Sequence, residues 1–160
     1  MIIYFHGNAE DIGLSFDLLS LFGQEMRMHV LVIEYPGYGL YKTASTCEQI
    51  ILEDAEIVYD YLTTICGVND SDIILFGRSI GTGPTSYLAS RKPCHSALLM
   101  SAYTSIKDVA KNLFGWVGFM SWIVAERFPN LEYIKQAKCP CFFMHGVLDT
   151  LIPYEHSLQL

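Results

Sequence analysis

The sequence predicts an α/β domain: a parallel sheet of about five strands with helices on both faces. Three observations predict it. Short, uninterrupted apolar runs recur at 2–5 (IIYF), 30–33 (VLVI), 73–76 (IILF), 97–100 (ALLM) and 141–144 (CFFM). Such runs mark strands buried on both faces, where alternation is lost. Stretches with helical spacing separate them, and strands that alternate with helices build parallel sheets through right-handed crossovers. Several runs also end directly in glycine-containing turns, HGN, EYPGYG, GRSIG and HG.

Each element has its own justification. The run at 2–5 stops at His6-Gly7-Asn8, and the opening residues carry no basic segment or cleavage site, so they read as a strand and not a leader. Ile12, Phe16, Leu19 and Phe22 recur at helical spacing, with Gly23 placed to end that helix. After the second strand, two glycines and a proline in 34–39 force a loop. Thr46 is placed to cap the next helix, whose inward face would hold Ile50, Ala55, Val58, Tyr59 and Leu62. The third strand runs into GRSIG and then a helix ending near Ser90. The fifth is followed by His145-Gly146 and a short helix.

Composition narrows the function. With 160 residues, 51% hydrophobic and 17% charged, the chain supports one domain with a real core. A net charge of -7 and the absence of any basic block exclude an electrostatic nucleic-acid footprint. The longest apolar stretch, 113–125, is 13 residues interrupted by Gly115, Gly118 and Ser121, too short for a bilayer span. Five cysteines, Cys47, Cys66, Cys94, Cys139 and Cys141, are an odd number that fits reduced, mostly buried thiols in a reducing, cytoplasmic setting. Cys139-Pro140-Cys141 reads as strand residues; no metal and no cofactor are expected.

The chemistry centres on 77–81. GRSIG matches G-x-S-x-G, in which flanking glycines let a serine occupy a strained strand-to-helix turn and project its hydroxyl above the sheet. Ser79 is the candidate nucleophile; the alternative is a structural turn serine. A serine nucleophile needs oxyanion donors, for which the amide of Ile80 and one from the Gly7-Asn8-Ala9 turn qualify by position. Asp149, following the fifth strand, falls at the same sheet edge as Ser79 and is the candidate acid, unless it is a turn residue or caps the helix near Pro153. Asp70, Asp72, His29 and His95 fall at the opposite edge.

Taken in order, HGNAEDIG, EYPGYG, FGRSIGTGPT and HGVLDTLIP resemble the α/β-hydrolase superfamily, nearest to the α/β-hydrolase-domain-17-like protein depalmitoylases. The resemblance covers nearly all of the chain. It implies an α/β-hydrolase fold that lacks the family's first strands and last strand, with Ser79 as nucleophile and Asp149 as acid. It also implies a catalytic histidine in a loop beyond the acid, which these residues do not include, so an incomplete copy is expected. His156 is expected as a surface or helix residue, and His6 as a support for the oxyanion turn. Residues 105–128 read as a helical cap-like insertion within a single domain spanning 1–160. In that insertion Leu113, Phe114, Trp116, Phe119, Met120 and Trp122 either line an acyl pocket, with Trp116, Phe119 and Trp122 as the candidate substrate-binding residues, or cover the sheet as core.

The expected activity is therefore a serine hydrolase cleaving an ester or thioester through an acyl-enzyme, with a palmitoylated protein as one substrate class. A peptidase, or a catalytically incomplete binding protein, are the alternatives. Acylated substrates leave peripheral membrane contact open.

Overall fold

The computed structural model describes residues 1–8, 10–42, 45–114 and 127–160. The elements run β1 (Ile2–Phe5), α1 (Ile12–Met26), β2 (Val30–Ile33), α2 (Glu48–Asp60), β3 (Ile74–Arg78), α3 (Thr82–Arg91), β4 (Ser96–Met100), α4 (Ile106–Phe114), α5 (Asn130–Ile134), β5 (Cys141–Met144) and α6 (Glu155–Gln159). All strand pairs are parallel, in the order β2-β1-β3-β4-β5. β1, β3 and β4 lie inside the sheet, and because all five strands are parallel every loop that follows a strand opens on one edge.

The pleat divides the core in two. From β1, Ile3 and Phe5 join Ala55 and Tyr59 of α2, Leu88 and Ala89 of α3, and Leu75 and Leu99 of the central strands. Ile2 and Tyr4 face the other way, onto Leu19 of α1 and Phe76 of β3. Helices thus cover both faces, as a buried parallel sheet requires.

Several local expectations are corrected. Helix α1 runs through Gly23 and ends at Arg27, which adopts φ 52° in the left-handed region. Glycine is tolerated inside a helix at a cost of about 1 kcal/mol, and here the reversal into β2 falls at the later residue. Phe16 is 64% exposed, because α1 buries only Ser15 and Leu19 against the sheet. Thr46 does not cap α2; its hydroxyl donates to the Pro36 carbonyl at 2.9 Å, and Cys47 occupies the cap position without a side-chain bond. The buried stripe of that helix is Ile51, Ala55 and Tyr59, continued by Leu62, so it takes Ile51 in place of Ile50. β3 is Ile74–Arg78, shifted from 73–76. The cysteines are not mostly buried: Cys47 and Cys66 are exposed and the other three half-buried.

Helix α4 opens the segment 105–128. Its start is capped by Ser105, whose Oγ accepts from the Asp108 N–H at 3.2 Å while its hydroxyl donates to Asp108 Oδ2 at 3.0 Å. The Ile106 N–H donates to the Arg127 carbonyl at 3.1 Å, which holds residues 106 and 127 side by side. Among the described residues no helix is long and apolar enough to cross a membrane.

The core assignment predicts a contrast measurable by chemical denaturation. Leu75→Ala, at a fully buried position, should lower stability by about 2–5 kcal/mol. Leu14→Ala, 71% exposed on α1, should change it by less than about 0.5 kcal/mol.

Candidate active site

β3 ends in a single 3-10 turn, Ser79–Gly81, before α3 begins. In that turn Ser79 takes φ 52°, a left-handed conformation that costs a non-glycine residue about 1–3 kcal/mol and persists only where the surroundings impose it. The surroundings are the two flanking glycines. A Cβ on Gly77 would lie 2.3 Å from both the Gly81 carbonyl oxygen and Thr85 Oγ1, and a Cβ on Gly81 would lie 2.1 Å from the Phe5 carbonyl oxygen. Only glycine lets α3 start this close to β3 and to the end of β1. The turn is further held by the Thr82 hydroxyl, which donates to the Ser79 carbonyl at 2.7 Å.

The turn after β1 is tied down by side chains distant in sequence. His6 is fully buried, with Nε2 2.8 Å from Glu34 Oε1 and Nδ1 2.9 Å from the Gly7 carbonyl. Both ring nitrogens are thus engaged away from Ser79, which makes His6 a scaffold and not a base. The Tyr35 hydroxyl donates to the His6 carbonyl at 2.9 Å, and the Tyr38 hydroxyl to Asn8 Oδ1 at 2.6 Å. Burial pushes the phenols of both tyrosines up, well up for Tyr35, so they stay donors. The Gly7 N–H donates to Glu10 Oε2 at 3.1 Å, and Glu10 pairs with Arg78 on the elbow. With the Gly7 amide occupied, Asn8 and Ala9 remain as the candidate oxyanion donors. Ala9 lies outside the described residues.

Asp149 stands on the loop after β5. Its Oδ1 accepts from the Leu151 and Ile152 N–H groups, both at 2.9 Å, and its Oδ2 is 3.6 Å from His145 Nε2. Burial raises the carboxyl pKa, but the Ile152 and Leu151 amides, the His145 ring and the Ser101 hydroxyl outweigh it and hold it below the ordinary value. Asp149 therefore shapes its own turn while remaining an ionised acid. It does not cap the following helix, since α6 begins at Glu155 behind Tyr154. The loop is pinned by His145, whose ring contacts Ser157 Oγ at 2.6 Å and donates to the Ile152 carbonyl at 2.7 Å.

These three loops meet. Asn8, Ser79 and Ile80 share a cavity of about 230 Å³ whose other walls are Tyr103, Ile106, Val109, Leu151 and Ile152. Leu151 and Ile152 are the residues whose amides hold Asp149, so the acid loop borders the serine. Trp116, Phe119 and Trp122, like Met120, lie outside the described residues. His156 is not at the surface: it is buried on α6, its Nδ1 accepting from the Thr104 N–H at 3.3 Å and facing the Thr104 hydroxyl at 3.0 Å, and burial lowers its pKa. Among the described residues no histidine ring hydrogen-bonds Ser79, and no group of three or more His, Cys, Asp or Glu side chains is placed to hold a metal. His29 and His95 sit before β2 and β4, at the far edge.

Comparison with known proteins bears on the fold. No protein-family model matches the chain. It is 31% identical over 159 residues to the α/β hydrolase domain-containing protein aho-3 of Caenorhabditis elegans, an alignment covering 99% of this chain and 46% of that protein. It is 29% identical over 164 residues to the human α/β hydrolase domain-containing protein 17C, covering 99% and 46%. The chain thus spans about half the length of the curated relatives it matches. Among solved structures, an α/β hydrolase from Vibrio vulnificus superposes with a TM-score of 0.82 at 20% identity, covering 99% of this chain and 60% of that one. The Pyrococcus furiosus esterase Pf2001 gives 0.73 at 19%, covering 99% and 64%. The fold is that of the α/β hydrolases.

Two predictions follow from the site's construction. Gly77→Ala forces an overlap with backbone and should cost at least about 1–3 kcal/mol in a denaturation titration, whereas Gly146→Ala, with open space around the added methyl, should stay within about 0.5 kcal/mol. The depressed carboxyl of Asp149 stabilises the fold above the unfolded value near pH 4, and that contribution is lost as pH falls through the folded value. Asp149→Asn should therefore lower stability at neutral pH and reduce the acid-side fall of a stability profile.

Proposed function

We propose that this chain, an α/β-hydrolase domain by fold, carries the nucleophile, oxyanion donors and acid of a serine hydrolase that cleaves esters or thioesters. The observation that carries the proposal is Ser79 at φ 52° between two glycines with no room for a side chain, opening on a cavity shared with Asn8, Ile80 and the Asp149 loop. A strained serine at the C-terminal edge of a central strand is the geometry that nucleophilic acyl transfer uses.

Ser79 Oγ attacks the carbonyl carbon of the substrate and gives its proton to a histidine base. By the family resemblance that base sits on a loop following the acid. Asp149, with Oδ1 held by two amides, offers Oδ2 to orient the ring. The oxyanion is received by the Ile80 amide and an amide of Asn8 or Ala9. The tetrahedral intermediate then breaks its C–O or C–S bond, the leaving alcohol or thiol takes the proton, and water hydrolyses the acyl-enzyme to a carboxylic acid. The acyl group lies against Ile106, Val109, Leu151 and Ile152. The sequence resemblance to the protein depalmitoylases, together with these walls, supports a long acyl chain on a protein thioester as substrate.

A fluorophosphonate probe on the full-length protein tests this. Ser79 should be the labelled residue and Ser79→Ala should abolish labelling; labelling that persists would refute the assignment. Substrate class is read from kcat/KM on p-nitrophenyl esters of increasing chain length. Each methylene buried is worth about 0.8 kcal/mol, so kcat/KM should rise up to about fourfold per carbon until the cavity is filled. Val109→Trp should then shorten the preferred chain.

A further inference from the structure

Three cysteines gather at the edge of the sheet opposite to Ser79. Cys94 lies two residues before β4, and Cys139 two residues before Cys141, the first residue of β5. Ala97 and Cys141 are register partners, and the Ala97 N–H donates to the Pro140 carbonyl at 2.9 Å, so the two approaching segments run side by side. The Cys94 side chain interacts with that of Cys139 and the latter with that of Cys141, while the Cys94 thiol donates to the Ser96 carbonyl at 3.9 Å and the Cys141 thiol to the Cys139 carbonyl at 3.6 Å. All three pack on the rim of the main core and are half-buried, open enough for a small oxidant. Cys47 and Cys66 are exposed at the two ends of the α2 region.

We propose that Cys94 and Cys139 form a thiol-oxidation site in which a hydroperoxide converts the pair into a reversible disulfide joining the starts of β4 and β5. The chemistry assigns the two roles. Its interaction with Cys139 lowers the pKa of the Cys94 thiol against the effect of burial, so Cys94 is the member of the pair that attacks. Cys139, although Cys141 acts to lower it, is pushed up to about 11 by its bond to Cys94 and by burial. Cys141 is pushed up further by its bond to Cys139 and by burial, so it stays protonated.

The Cys94 sulfur attacks the peroxide oxygen and breaks the O–O bond. A sulfenic acid forms, and the alkoxide or hydroxide released takes a proton. Cys139 then attacks the sulfenic sulfur, forming the S–S bond and expelling hydroxide, which leaves as water with the Cys139 proton. In sum, two thiols and one hydroperoxide give one disulfide, one alcohol (or water, from hydrogen peroxide) and one water. The Cys139–Cys141 pairing is disfavoured, because residues two apart in an extended strand have Cα atoms roughly 6.6 Å apart, at the far end of the disulfide range. Closing that gap would bend the strand at Pro140, whose carbonyl accepts from Ala97.

The test is a hydrogen peroxide titration of the intact chain, blocking of remaining thiols, and peptide mapping by mass spectrometry without reductant. A Cys94–Cys139 linked peptide, two hydrogens lighter than the sum of its parts and released by dithiothreitol, is expected. It should survive Cys141→Ser, Cys47→Ser and Cys66→Ser and vanish in Cys139→Ser, where Cys94 sulfenic acid should be trapped by dimedone. A map of the unsubstituted chain with no Cys94–Cys139 peptide at peroxide doses that oxidise Cys47 or Cys66 would overturn the proposal. A Cys139–Cys141 link in its place, or a link between chains only, would do the same.

Discussion

The C-terminal edge of the sheet depends on one steric constraint. Helix α3 starts so close to β1 and β3 that neither Gly77 nor Gly81 has room for a Cβ. Two backbones in contact leave the residue between them a single course, and Ser79 is turned into the left-handed region because the chain must pass from strand to helix within three residues. The strain is held by the most buried part of the molecule, since the central strands supply Phe5, Leu75 and Phe76 to the core on either side of the turn. A softer core would let the turn relax, so packing and reactivity are here parts of one arrangement.

Around this fixed point the loops are joined by polar contacts that cross between strands. His6 with Glu34 ties the ends of β1 and β2, Glu10 with Arg78 ties the β1 turn to β3, and Ser101 and His145 bring the ends of β4 and β5 to Asp149. Partly exposed pairs such as Glu10 and Arg78 add little stability. Their value lies in register: they fix which amides of the first turn are committed and which are left for the oxyanion role proposed above. The Gly7 amide is committed to Glu10, which narrows the donors to its neighbours.

Much of this was legible in the sequence, and the parts that were not share a cause. The five apolar runs and their parallel arrangement follow from local pattern, because a strand buried on both faces has no polar positions to confuse it. GRSIG and Asp149 were legible because their backbone demands are local. Glu34, Tyr38, Ser101 and His145 were not, since each acts through a partner that only the crossovers bring near; 28 residues separate His6 from Glu34. The same applies to His156, which looked like a surface residue of a short helix until Thr104, 52 residues earlier, was seen beside it. Gly23 and Thr46 misled for the opposite reason. Each has the right type for a helix end, but tertiary geometry moved the end by one to four residues.

The strand order also constrains how the chain acquires its structure. β1 precedes β2 and β3 in the chain, yet it lies between them in the sheet. Its pairing with β2 is available once residue 33 is in place, but its other side stays open until β3 follows at residues 74–78. During that interval Ile2 to Phe5 presents an unpaired, wholly apolar strand edge, and parallel pairing across so long a separation forms slowly. Synthesis therefore passes through a stage in which the side of β1 that later pairs with β3 is open, before the elbow can close. Agents that bind exposed strands, chaperones among them, would meet this protein at that stage and not after it.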